Sequence, residues 1–243
     1  LNLRTGERVL LVLGSFPADD FDALFEGTKA LPWESIIPAD GSFPVKGYSL
    51  NSQLHSVPDC QRIIKKAAAV NLGKAHGVNW MPEDGALYQI QFSIVKDRAD
   101  IYLDTTGAPL FKRGYRPGHV AAPLRETLAA AMVILSRYRG REFFWDPFCG
   151  SGTIPIEAAL IARNIAPGVF RKEFAFEKWA DFDQELFDEI YNDDSAEREF
   201  THHIYGYDID WKAVNIATNN VRAAGLSKDI TIEHRDMADF VEP

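Results

Sequence analysis

Cysteine is scarce. Two thiols, Cys60 and Cys149, stand in 243 residues, too few for a disulfide framework or a zinc site, and a reducing, cytoplasmic setting is expected. Long apolar runs are missing as well: no stretch of about 18 apolar residues occurs, which leaves no candidate for a transmembrane helix. The N-terminus, Leu1-Asn2-Leu3-Arg4, has neither a starting methionine nor the layout of a signal peptide, and reads as the middle of a longer polypeptide. Nor is basic charge in excess, since 26 Lys and Arg face 35 Asp and Glu for a net charge of -9. That deficit is local. Residues 1–120 hold 13 basic and 13 acidic side chains, whereas residues 121–243 hold 13 and 22, with much of the acid between Glu173 and Glu199. Phosphate binding needs a basic patch rather than a basic protein, so the balance excludes no nucleic-acid partner.

What is present falls into two compositions. Val9–Gly14 reads as a short strand, Asp19–Leu31 as a helix capped by Asp19 or Asp20, and Tyr48–Ser56 as a loosely alternating strand. Pro58-Asp59 opens a helix over Cys60–Leu72. Ala86–Val95 alternates apolar and polar residues, and Asp100–Thr105 is its hairpin partner across Lys96-Asp97-Arg98. This mixture predicts a small α+β domain over residues 1–110. A basic, Gly/Pro-punctuated connector, Phe111 to His119, occupies residues 111–122 as a linker. From residue 123 the pattern changes. Pro123–Tyr138 is a helix with Leu124, Leu128, Ala131, Met132 and Leu135 on one face. Then follow a strand over Glu142–Asp146, a helix over Ile154–Arg163, a strand over His203–Asp208, a helix over Trp211–Ala224 closed by Gly225, and a strand over Asp229–His234. Strand–helix–strand–helix–strand is the signature of an α/β fold with a parallel, doubly wound sheet. Residues 123–243 would form the N-terminal part of that domain.

The informative segment is Asp146-Pro147-Phe148-Cys149-Gly150-Ser151-Gly152-Thr153. A strand enters it and a helix leaves it, the place where open α/β sheets bind nucleotide-type ligands. The two glycines allow a tight turn, and the free amides of the following helix favour an anion. A phosphate loop would end in Gly-Lys-Ser/Thr, and this one has no lysine. A dinucleotide fingerprint needs a third glycine where Pro155 stands. Asp146, ending the strand, would repel a pyrophosphate and suits a ligand with a cationic amine and hydroxyls, such as S-adenosylmethionine. Asp208 ends the second strand, where a carboxylate accepts from ribose hydroxyls. Asp210 reads as the cap of the next helix, and Asp236, beyond the third strand, is placed for an adenine amino group. Cys149 reads as a small side chain at a tight turn rather than a catalytic thiol. His202-His203 lacks metal-ligand spacing, and no metal is expected. The five tryptophans, Trp33, Trp80, Trp145, Trp179 and Trp211, read as core or interface.

With those residues in place, the chain resembles the THUMP-containing RNA methyltransferases of the bacterial 23S rRNA guanine-N2 type, often labelled predicted N6-adenine-specific DNA methylases. The resemblance rests on Pro123-Leu-Arg-Glu-Thr-Leu-Ala-Ala130, the Asp146–Thr153 loop with Ile-Pro-Ile-Glu-Ala-Ala after it, Gly206-Tyr-Asp-Ile-Asp210, and Asn220 to Gly225. In the first half, Leu31-Pro-Trp-Glu34 and Ser56 to Lys66 look like a THUMP region. It implies a Rossmann-like S-adenosylmethionine methyltransferase core, incomplete here, preceded by a smaller α+β THUMP-like domain. It further implies that Asp146 to Gly152 line the methionine end of the cofactor with Thr127 nearby, that Asp208 holds the ribose, that Asp236 with Met237 holds the adenine, and that Thr153 and Ile209 are further cofactor-binding residues. The family's catalytic Asn/Asp-Pro-Pro-Tyr/Phe motif follows a fourth strand. This sequence stops at Val241-Glu-Pro243, before it, so no catalytic residue is assigned and this chain alone is expected to be inactive.

RNA, of ribosomal origin by the resemblance, is the expected partner, with Lys65, Lys66, Lys112, Arg113 and Arg116 as candidate phosphate contacts and Tyr115 for stacking. An adenine-N6 DNA methyltransferase, or a non-catalytic RNA-binding module with a methyltransferase-like fold, remain as rival readings. No membrane partner is expected, and the oligomeric state is open.

Overall fold

The computed structural model describes residues 1–118 and 120–239. His119, at the end of the basic connector, and Phe240–Pro243, which close the sequence, lie outside the described residues. The chain forms two compact units, and neither is one continuous stretch.

One unit comprises Arg8–Ala108 and Glu173–Phe182. Its strands β1 (Leu10–Pro17), β2 (Val45–Leu50), β3 (Ile90–Val95) and β4 (Arg98–Asp104) form a sheet in the order β1-β4-β3-β2, with α1 (Phe21–Lys29) and α2 (Val57–His76) between β1 and β3 in sequence. Asp20 caps α1, its side chain accepting from the Ala23 amide at 2.7 Å. The β3–β4 hairpin turns through Lys96 and Asp97 with φ of 52° and 60°, the left-handed pair whose twist matches its flanking strands. The strand expected over Tyr48–Ser56 ends at Leu50, because the residues after it serve the hairpin turn. The Gln53 amide donates to Asp97 Oδ1 at 2.7 Å and the Asp97 amide donates to Ser52 Oγ at 3.1 Å. Leu24 of α1, Ile64, Ala68 and Leu72 of α2, and Ile90, Phe92, Ile94, Ile101 and Leu103 of the sheet share one core with Trp33.

The segment Glu173–Phe182, read as part of an acidic insertion, also belongs to this unit. Trp179 stacks on Tyr88 with ring centroids 5.2 Å apart and donates from Nε1 to the Leu87 carbonyl at 3.0 Å.

The other unit comprises Leu1–Glu7, Pro109–Lys172 and the described residues from Asp183 onward. Its elements are α3 (Glu126–Leu135), β5 (Phe144–Asp146), α4 (Thr153–Ala162), α5 (Gln184–Tyr191), β6 (Ile204–Asp208), α6 (Trp211–Ala223) and β7 (Ile230–His234). The three strands are parallel in the order β5-β6-β7, with Asp146 opposite Gly206 and Asp208 opposite His234. Parallel pairing through helical crossovers puts every strand's carboxyl end on the same edge. Ile156, Ala159 and Leu160 of α4, Val221 of α6, and Ile204 and Ile230 fill the core.

Two expectations are corrected here. Residues 111–122 do not form an exposed linker: Arg113 and Tyr115 are buried within this unit. On α3 the inward face is not the one with the longest apolar side chains. Leu128, Met132 and Leu135 are exposed, while Glu126, Thr127, Ala129, Ala130 and Val133 are buried. Helix α3 lies against α4, which contributes Ala158, Ala159 and Ala162 to the core, and a close helix–helix approach selects small side chains.

Candidate functional site

The loop between β5 and α4 is braced on both sides. At its base Asp146 is buried, and Oδ1 accepts from the Phe148 amide at 3.1 Å. Burial pushes the Asp146 carboxyl up, with Asp208 adding to the shift and the Phe148 amide opposing it. The Cys149 amide donates to the Tyr207 carbonyl at 2.8 Å, and the Gly150 amide donates to Asp208 Oδ2 at 3.0 Å. Asn220 of α6, fully buried, donates from Nδ2 to the carbonyls of Ser151 at 2.9 Å and Gly118 at 3.0 Å. Gly152 has φ of +78°, and a Cβ there would lie 3.2 Å from that of Ala217, so the loop reaches α6 only with glycine at this position. Helix α4 then starts at Thr153 with no side-chain cap.

Asp208 ends β6, and its second oxygen, Oδ1, accepts from the Asp210 amide at 2.9 Å. Asp210 is the helix cap, as its spacing indicates, accepting from the Lys212 amide at 2.8 Å. Exposed Ile209 gives its carbonyl to the ring Nε2 of His234 at 2.8 Å, and His234 lies flat against Trp211 with centroids 4.2 Å apart. Beyond β7, Asp236 accepts from the Ala238 amide at 2.9 Å and opens a short turn that leaves Met237 exposed. Each parallel strand is therefore followed or ended by a carboxylate: Asp146, Asp208 and Asp236. Exposed apolar residues, Phe148, Ile209 and Met237, stand beside them. Pro147 to Gly152 carry no basic side chain. Such an edge suits a ligand with amines and hydroxyls and an apolar surface, and is ill suited to a bare pyrophosphate.

Thr127, expected beside the loop, is buried, and its hydroxyl donates to Glu7 Oε1 at 3.0 Å. Cys149 is buried, and burial pushes its thiol up, with Asp146 and Asp208 adding to the effect, the environment of a packing side chain rather than of an activated thiolate. Among the described residues no group of three His, Cys, Asp or Glu is arranged to hold a metal ion, and no helix is long and apolar enough to cross a membrane.

The candidate RNA contacts divide. Lys66 and Lys112 are exposed, while Lys65 pairs with Glu83 at 2.8 Å. Arg113, only 1% exposed, is no surface contact: it donates to the carbonyls of Leu3 at 3.1 Å, Leu110 at 3.0 Å and Arg4, and lies 3.4 Å from Glu157 Oε1. Tyr115 is likewise withdrawn as a stacking platform, since its ring is buried and its hydroxyl donates to Glu157 at 3.0 Å. Arg116 is bound inward, to the Leu124 carbonyl, the Thr153 hydroxyl and Glu126. Trp80, 79% exposed, and Trp211 stand outside both cores. Sequence reasoning assigned no role to Asn220, Glu126 or Glu157. The signal for Glu157 was available: it is the lone acid in the otherwise apolar Thr153–Ala162 helix, and an acid there needs a buried partner.

Comparison with known proteins adds the following. A family model described as "RMKL-like, methyltransferase domain" matches residues 113–243, and one described as "THUMP domain" matches residues 18–104. The chain is 46% identical over 244 residues to the "Putative RNA methyltransferase YpsC" of Bacillus subtilis (strain 168), covering 98% of this chain and 63% of that protein. It is 36% identical over 250 residues to the Ribosomal RNA large subunit methyltransferase K/L of Psychromonas ingrahamii, covering 99% of this chain and 33% of that protein. Among solved structures, a "predicted N6-adenine-specific DNA methylase" from Listeria monocytogenes superposes with a TM-score of 0.94 at 44% identity, over 100% of this chain and 64% of that one. SMU.472, "a putative methyltransferase complexed with SAH", superposes with a TM-score of 0.92 at 40% identity, over 100% and 65%. The chain thus spans under two thirds of the length of these relatives.

Proposed function

The chain belongs to the family of RMKL-like methyltransferase domains, with a THUMP domain ahead of that domain, and from that premise we propose that it is the THUMP and cofactor-binding part of an S-adenosylmethionine-dependent RNA methyltransferase of the cytoplasm. The observation that carries this reading is the braced loop, in which the Gly150 amide is tied to Asp208 at 3.0 Å above a buried Asp146. A relative 40% identical bears the product form of that cofactor, and the residues here fit the same group.

In this reading the backbone of Asp146–Thr153 holds the methionine end, Asp208 and Ile209 the ribose, and Asp236 and Met237 the adenine. Asp208 receives two backbone amides, and each of its oxygens keeps a lone pair for a ribose hydroxyl. Bound there, the cofactor supplies an activated sulfonium methyl group. This chain's part is to fix its position, because in-line transfer depends on the reacting atoms being held at attack distance. The THUMP unit supplies the RNA-facing surface. On α2, Lys66 and Lys74 are exposed and are offered to phosphates, with Arg62 and Lys65 beside them paired to Asp59 and Glu83; Lys112 is a further exposed candidate.

The names of the relatives favour large-subunit ribosomal RNA, and we take the exocyclic N2 of guanine as the acceptor. Calorimetric titration of S-adenosylmethionine into the chain and its Asp208→Ala variant tests the cofactor site. Micromolar binding, worth about 8 kcal/mol, should weaken at least tenfold in the variant, and absence of binding to either protein refutes the reading. With the full-length protein, nucleoside digestion of methylated rRNA separates N2-methylguanine from N6-methyladenine, and the latter refutes the guanine assignment.

A further inference from the structure

The chain that leaves α2 folds back over it and is fastened at two points. The Val78 amide donates to the Gly73 carbonyl at 2.9 Å. Glu83, at φ of 54°, pairs with Lys65 at 2.8 Å and accepts from the Phe43 amide at 3.4 Å. Position 73 needs glycine, since a Cβ there would stand 2.8 Å from the Val78 carbonyl oxygen. Between the two fixed points Trp80 is 79% exposed, with exposed Asn79 beside it. Trp80 borders an open cavity of about 230 Å³, lined also by Phe43, Ala69, Val78 and Met81. A large ring left in water calls for a reason, and this one edges a cavity instead of lying singly on the surface. The adjoining face of α2 is basic. Lys65, Ala69 and Gly73 line the cavity, and the next stripe around the helix is Lys66, Val70 and Lys74, all exposed. From Cys60 to His76 the helix carries no acidic residue. Lys66 and Lys74 lie about 12 Å apart along its axis at 1.5 Å per residue, a reach of a few nucleotides.

We propose that this cavity takes one unstacked base of a single-stranded RNA, stacked on Trp80, while Lys66 and Lys74 meet phosphates of the same strand. This rests on the RNA reading of α2 above and adds to it a contact with a base. An indole face offers every base a stacking surface, and the cavity has room for one flat heterocycle. Asn79 carries an amide that can donate and accept at a base edge. Duplex RNA keeps its base faces covered and presents phosphates and 2′-hydroxyls instead, so the pocket distinguishes a loop or single strand from a helix. The lysines beside it favour a phosphate-bearing strand over an apolar protein surface.

The test compares three probes: a short single-stranded RNA of mixed sequence, the duplex of that sequence, and the same strand with abasic sites throughout. Each is titrated across a salt series into the unaltered chain and into its Trp80→Ala and Trp80→Phe variants, with tryptophan fluorescence and thermal unfolding followed. Trp80→Ala should bind the single strand about tenfold more weakly, the effect of losing one stacked base. It should bind the duplex and the abasic strand as the unaltered chain does, and its salt slope should stay the same because the lysines remain. Trp80→Phe, which keeps a ring, should recover part of the loss. The single strand, and not the abasic one, should quench the fluorescence of the unaltered chain, and that quenching should be lost in Trp80→Phe. Unchanged affinity of Trp80→Ala for the single strand overturns the proposal and leaves the RNA reading of α2 standing. Equal loss for single strand and duplex also overturns it, because Trp80 would then shape the surface and not meet a base. Self-association of the unaltered chain that Trp80→Ala abolishes, with RNA affinity unchanged, assigns the cavity to a second copy of the chain and overturns the proposal. An unaltered chain that binds none of the three probes overturns the RNA reading, and the proposal with it.

Discussion

Asn220, in the middle of α6, donates its side-chain amide to the carbonyl of Ser151 in the loop before α4, at 2.9 Å. The same nitrogen donates to the Gly118 carbonyl at 3.0 Å, so one buried side chain holds two irregular stretches against a helix. Asn220→Ala leaves those carbonyls unmet, and a buried polar group without its partner costs about 1–3 kcal/mol. Denaturant unfolding should show that loss. Affinity for S-adenosylhomocysteine should fall beyond what the stability change explains, because the loop loses its brace. An Asn220→Ala protein with wild-type affinity would detach the brace from binding.

Asp146 gives a pH-dependent signature. Its carboxyl is raised in the folded protein from an ordinary value of 3.8, chiefly by burial. The folded state therefore binds the proton more tightly than the unfolded chain does. The resulting stability is fully present below pH 3.8 and is lost as pH rises through the raised value. Asp146→Asn keeps the oxygen that accepts from Phe148 and removes the titration. Its melting temperature relative to the unaltered chain should rise between pH 4 and pH 7, and a pH-independent difference would contradict the raised carboxyl.

Helix α3 offers a sharp contrast between neighbouring positions. Val133 is buried, whereas Leu135 is 81% exposed. Val133→Asp should cost several kcal/mol, roughly 3 or more, by burying an unpaired charge, while Leu135→Glu should change stability by no more than about 0.5 kcal/mol. Chemical denaturation of the two variants checks both, and a reversed order would restore the face suggested by the long side chains.

Charge reversal at Lys66 and Lys74 on α2 should weaken binding of ribosomal RNA fragments and reduce the magnitude of the salt slope by about 1 to 2, the effect of losing two phosphate contacts. Filter binding across a salt series measures it. Arg113→Glu is no control for this surface, since the side chain is buried among backbone carbonyls and the variant should unfold.

Much of this architecture was legible in local pattern. The parallel strands, the glycine loop between β5 and α4 and the Asp210 cap follow from period, turn chemistry and capping, all of which act within a few residues. The errors came where a partner lies far along the chain. Arg113 and Tyr115 read as an exposed basic stretch because nothing nearby announces Glu157, some forty residues on, as the acid that buries them. The face of α3 was misjudged because hydrophobicity was weighed by side-chain size, whereas contact with α4 favours alanines. Asn220 escaped because a polar residue in an amphipathic helix is usually solvated, and only the fold brings Ser151 and Gly118 to it.

The ten residues Glu173–Phe182 complete a unit begun more than a hundred residues earlier, and this sets an order of events during synthesis. A ribosome releases all four strands of the first sheet well before it makes Trp179, so Tyr88 emerges without the ring that stacks on it. The intervening chain carries β5 and α4, so part of the second unit is made before the first is complete. Domains commonly fold one after another as they leave the ribosome; here the first is finished only once the second is under way. A gene cut after residue 110 to give the first unit alone would omit its closing piece, and one that restores residues 173–182 through a short linker should yield the better-folded product.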